Sequence, residues 1–139
     1  MQEAELLAFA PSTQKLIDWF GFLPSFHDAE IVSIELHRLG PSFVRVHTFR
    51  SLSETNESGH YKTDRHAIVS IVVDAISDMQ LLGFSHQNVI SDIVFEKTAD
   101  GIKMILGGCF GVEGYIIAGG FAFEINAGIP PASIYETAS

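Results

Sequence analysis

The spacing of apolar residues changes several times along this chain, and each change marks an element. After Pro11 the positions Leu16, Ile17, Trp19 and Phe20 recur at helical spacing, with Lys15 and Asp18 left for solvent. That pattern predicts a helix of about ten residues from Ser12, ended by Gly21 and kept from resuming by Pro24. The first ten residues, rich in Ala, Leu and Glu, offer a helical turn or a frayed end.

From Glu30 to Arg38 the period becomes two, with Val32, Ile34 and Leu36 on one face and Ser33, Glu35 and His37 on the other. Leu39 to Ser42 reads as a turn, and Phe43 to Arg50 resumes the alternation, so these segments form a hairpin in which His37 and His47 face each other. Ser51 to Asp64 has almost no large apolar residue and reads as the longest and most mobile loop. Arg65 to Ala75 carries β-branched residues on both faces, the mark of a central strand.

Ile76 to Phe84 reads as a further strand, Ser85 to Asn88 as a turn, and Val89 to Lys97 as a strand. Asp100-Gly101 signals a hairpin turn, with Ile102 to Leu106 as the return. Gly107 to Ala127 alternates glycine pairs with apolar runs and reads as two strands with bends; the tail GIPPASIYETAS packs loosely or hangs free. The expected fold is α+β: an N-terminal helix packed on a curved, mostly antiparallel sheet, partial barrel or sandwich of about seven or eight strands. No repeat and no linker divides residues 1–139, which are expected to form a single domain.

Composition narrows the function. Apolar residues make up 47% and eleven are Phe, so the chain folds around a core. No apolar run reaches the length of a membrane span, and the N-terminus carries Glu where a signal peptide has Lys or Arg, which predicts a soluble cytoplasmic protein. Eight Lys and Arg against seventeen Asp and Glu give a net charge of −9, which repels phosphate backbones and favours basic partners. Cys109 has no second Cys for a disulfide or metal site and reads as a small buried hydrophobe. No cofactor is expected.

His27, Asp28 and Glu30 place an imidazole and two carboxylates within four residues, a possible metal or acid-base set. On a strand, Asp28 and Glu30 share a face and His27 points away, so the preferred reading is structural: Asp28 accepts from backbone amides at the turn and His27 is held by packing. Gln87 and Asn88 form a second polar knot, whose amides satisfy backbone groups at a bend or face a partner. Asp74, Asp78, Asp92, Glu96 and Asp100 read as a solvated acidic face. The glycines from Gly107 to Gly120 match no phosphate-binding spacing.

The run PSFHDAEI at the head of a strand, followed by GF…QNVI, resembles a small bacterial immunity-protein family of the polymorphic-toxin type. The resemblance spans Trp19 to Ile31 and Gly83 to Ile90. It implies a non-catalytic protein that neutralises a toxin, often a nuclease, by binding it, with His27, Asp28, Glu30, Gln87 and Asn88 as binding residues. The acidic surface agrees, because a nuclease holds phosphates with Lys and Arg. The alternative is a small-molecule-binding or hydrolytic β domain with a pocket lined by Trp19, Phe22 and Phe26 and rimmed by His27 and Asp28. A third reading is a homodimer formed through a sheet edge or the Gly-rich face.

Overall fold

Leu16 and Phe20 lie one turn apart, so one stripe of the helix carries its apolar surface. In the computed structural model, which describes residues 1–55, 57, 59 and 61–135, both side chains are buried, at 0% and 1% exposure. Two short helices, α1 (Glu3–Phe9) and α2 (Thr13–Phe20), precede the strands. The first turns are helical after all: the Met1 ammonium donates to the Phe95 carbonyl at 2.6 Å and Lys97 pairs with Glu5 at 3.1 Å. Gly21 ends α2 in the left-handed region, φ 85°, where glycine has no Cβ to clash. Helix α2 lies against the last strand, where the Phe123 N–H donates to Ser12 Oγ at 2.8 Å.

Six strands follow: β1 (Glu30–Glu35), β2 (Ser42–Thr55), β3 (Tyr61–Leu82), β4 (Val89–Thr98), β5 (Gly101–Phe110) and β6 (Glu113–Ala127). They close into an antiparallel barrel in the order β1-β2-β3-β6-β5-β4. Alternation puts Val44, Val46, Val69, Ile71, Val73, Met104, Leu106, Ile116 and Phe123 inside, each at 2% exposure or less. Each such side chain contributes about 1.5–3 kcal/mol by leaving water, so this interior is the main source of stability. Among the described residues no helix is long and apolar enough to cross a membrane.

The strand count is six rather than seven or eight because two apparent breaks are bends. β3 runs through Ala75, whose φ is 57°, and shifts register between Ile76 and Asp78. Opposite it, a Cβ on Gly119 would lie 3.3 Å from that of Ala75, so β3 and β6 bend together without ending. The true break in the Gly-rich stretch is Gly111-Val112, between β5 and β6.

Three further expectations are corrected. The polar stretch from Ser51 to Asp64 is mostly paired strand, with Ser51 opposite Thr63 and Thr55 opposite Tyr61; Ser and Thr suit a solvated ladder, and Arg50 clamps Asp64 through two bonds of 2.8 and 2.6 Å. Asn56, Ser58 and His60 of that stretch lie outside the described residues. Cys109 is exposed, because it lies at the end of β5 beyond the packed interior. The tail to Tyr135 is packed rather than free, its ring 5.1 Å from that of His66; residues 136–139 lie outside the description.

Candidate functional site

The barrel closes where the two polar knots meet. Strand β1 touches β4 through one residue pair, Glu30 with Val89, and the backbone just before β1 extends the seam. Ile31 N–H donates to the Asn88 carbonyl at 2.8 Å, Ile90 N–H to Ala29 at 2.9 Å, Asp28 N–H to Ile90 at 3.1 Å and Ile93 N–H to Ser25 at 3.0 Å. The stretches 25–31 and 88–93, more than fifty residues apart, are therefore stitched side by side.

The local backbone explains which side chains face out. Phe26 and Asp28 both have positive φ, 65° and 60°, so residues 26–28 form a turn rather than the start of a strand. That turn drives Phe26 into the core at 3% exposure and leaves His27 and Asp28 at the surface. His27 is thus not held by packing: its Nδ1 lies 3.1 Å from the Ser91 carbonyl and its Nε2 lies 3.4 Å from Asp28 Oδ2. The two residues expected to point apart are neighbours because the chain is not extended there.

Asn88 is the structural member of the second knot. At 2% exposure, its Oδ1 accepts from the N–H groups of Ser85 at 2.8 Å and Val112 at 3.2 Å, and its Nδ2 donates to the Ser85 carbonyl at 2.8 Å. Gly111, at φ 81°, makes room, since a Cβ there would lie 2.7 Å from Asn88 Oδ1. Asn88→Ala leaves the Val112 N–H without its acceptor, and we expect a loss of about 1–3 kcal/mol in urea unfolding. An unchanged midpoint would refute this role.

Asp28, Glu30 and Gln87 line a cleft of about 400 Å³ together with His47, His86, Val89 and the tail from Ala132 to Tyr135. His47, on the outer face of β2 opposite Glu30, is covered by that tail. Its Nε2 lies 3.0 Å from His66 Nδ1, and His66 Nε2 lies 2.8 Å from Thr63 Oγ1. Burial, then the neighbouring His66, push the His47 imidazole down to about 4, and burial lowers His66 as well. Burial, then the Asp28 carboxylate, raise the Tyr135 phenol. The recess therefore presents carboxylates and an amide above a neutral imidazole pair, a set that accepts hydrogen bonds from cationic groups.

His37 does not face His47 across the hairpin. β1 ends at Glu35, which pairs with Phe43, and the His37 ring turns back onto Glu35 at 2.9 Å, holding that carboxylate below its usual range. Trp19, Phe22 and Phe26 share no pocket: Phe26 is in the core, Phe22 is 51% exposed, and Trp19 stacks under Arg65 at 4.4 Å. Trp19 borders a larger hollow of about 760 Å³ between α2 and β6, but it is a shallow surface depression, and the deeper, half-open cleft is the better candidate. Among the described residues no group of three or more His, Cys, Asp or Glu could hold a metal ion. The sequence offers His47, His66 and His86 as possible distant partners of His27 but does not place them here, and it gives no sign of Tyr135, because only the register and the returning tail bring these residues to the seam.

Fold and recess together define a small closed antiparallel barrel with an acidic cleft at its seam. Over residues 12–114 the sequence matches the family described as Immunity protein 50, and the chain belongs to that family. The match includes both stitched segments and leaves out α1, most of β6 and the tail. No curated protein and no solved structure matches the chain.

Proposed function

We propose that this protein is a non-catalytic, cytoplasmic single-domain inhibitor that neutralises a basic toxin, such as a nuclease, by binding it directly. The observation that carries the reading is membership of an immunity-protein family across most of the barrel. The distribution of charge supports it. Arg45, Arg50, Lys62 and Lys97 pair with carboxylates of the chain itself, and Arg65 and Lys103 lie over the rings of Trp19 and Tyr115. The cations are thus largely occupied, and Asp28 and Glu30 at the cleft set an acidic field.

The contact centres on the cleft: Asp28, Glu30 and Gln87 receive Lys or Arg side chains of the toxin, His27 borders them, and Asn88 holds the loop in shape. Mixing the purified protein with the basic toxin encoded beside its gene should abolish toxin activity at low ionic strength, with affinity falling as salt rises. Asp28→Asn with Glu30→Gln should weaken the complex by about 10–100-fold, since close charge pairs at interfaces couple by roughly 1.5 kcal/mol or more. Absence of a complex at low ionic strength would sink the reading for that toxin.

A further inference from the structure

Phe84 and Phe110 are 54% and 56% exposed, and Leu82 beside them is 56% exposed. Backbone contact sets their proximity. A Cβ on Gly83 would lie 2.6 Å from the Gly111 carbonyl oxygen, so Phe84 and Phe110, which flank those glycines, leave the barrel from neighbouring points. Phe110 also ends a row of cross-strand partners: His47 with Glu30, Glu30 with Val89, Val89 with Phe110. Glu30 and Val89 line the cleft, so one outer face runs unbroken from the acidic recess to the aromatic pair.

We propose that Leu82, Phe84 and Phe110 are the apolar anchor of the toxin-docking face, adjoining the acidic cleft. The inference rests on the inhibitor reading and adds the half of the interface that supplies most of the binding energy. Large apolar side chains left half in water forgo the gain of burial, and three of them together mark a contact surface. Buried aromatics surrounded by polar groups are the usual anatomy of a strong interface.

Charge selects the occupant. The segments 25–31, 83–96 and 107–118 carry Asp28, Glu30, Asp92, Glu96 and Glu113 but no Lys or Arg, and Lys103, which lines a hollow with Leu82 and Glu113, is held over the Tyr115 ring. A second copy meeting this face would oppose carboxylates to carboxylates, whereas a basic toxin would be drawn to it. Closure of the barrel through the β1–β4 seam also removes the open edge by which strands of two copies would pair there.

The test compares binding of the toxin encoded beside the gene by the wild-type protein, Phe84→Ala with Phe110→Ala, and Leu39→Ala, an exposed apolar residue on the β1–β2 hairpin. The double variant should bind about 10–100-fold more weakly and Leu39→Ala as the wild type does. Native Cys109, exposed beside Phe110, gives a readout that needs no variant: bound toxin should protect it from iodoacetamide. A wild-type complex that the double variant leaves unchanged, or in which Cys109 stays reactive, overturns the anchor and leaves the inhibitor reading standing. No complex with the wild-type protein removes both. A wild-type dimer in sedimentation that Phe84→Ala with Phe110→Ala dissociates would assign the patch to self-association and overturn the proposal.

Discussion

Phe20→Ala is expected to cost about 3–5 kcal/mol of folding stability, the range for emptying a fully packed aromatic site. Phe20 is the last residue of α2 and belongs to the same buried cluster as Leu16 and Phe123. Glycine follows immediately, so the backbone there is already committed to its turn and cannot slide to refill the space. Phe22→Ala, two residues on and 51% exposed, is the control and should change stability by less than about 1 kcal/mol. Urea denaturation of both variants checks the contrast. Equal and small losses would mean that α2 is not part of the cooperative core.

Acid should destabilise the folded protein before its carboxylates titrate. An unfolded histidine takes up a proton near pH 6.5, whereas buried His47 does so only at about 4. Between those values the unfolded chain binds more protons, so stability present above pH 6.5 is lost as pH falls towards 4. The full effect of His47 is on the order of 3 kcal/mol, and lowered His66 acts in the same direction. The single N–H···N contact between the rings explains why both cannot be charged: two imidazoliums at 3.0 Å would put donor against donor. Asp64, lowered first by its bond to Arg50, and Glu35, lowered first by His37, also lose stabilisation in acid, but at lower pH than His47 begins to act. Stability of the wild type from urea midpoints between pH 7 and 4.5 should therefore slope downward, and His47→Asn should flatten much of that slope. An unchanged slope in the variant would assign the acid response to other groups.

The hairpins and the helix were legible because their signals are local. The alternation that runs from Glu30 to Arg38 in the sequence appears as β1 but ends at Glu35, and a bulge after Ile31 puts Ile31 rather than Val32 in the core and leaves Leu36 exposed. That from Phe43 to Arg50 lies within β2, and Asp100-Gly101 does turn β4 into β5. Ser51 to Thr55 was misread because a polar solvated strand and a loop share composition, and only pairing with β3 distinguishes them. Ala75 reads as a strand end in the sequence because a bulge and a break use the same small residues. Of the candidate residues, Asp28, Glu30 and Gln87 do share a recess, yet the reason is not the strand spacing within the cluster. It is the turn at Phe26–Asp28, with its positive φ values, and the pairing of that turn with residues 88–93.

Sequence alone determined the antiparallel character, the helix stop at Gly21, the acidic charge and the family, since each depends on residues close together in the chain or on simple sums. Tertiary structure alone decided that the sheet closes, that the SFHDAEI and QNVI stretches form the seam, and that Tyr135 returns over His47 and His66 to complete the cleft. Register and closure depend on contacts across dozens of residues, and a shift of one residue would turn every one of those side chains to the opposite face.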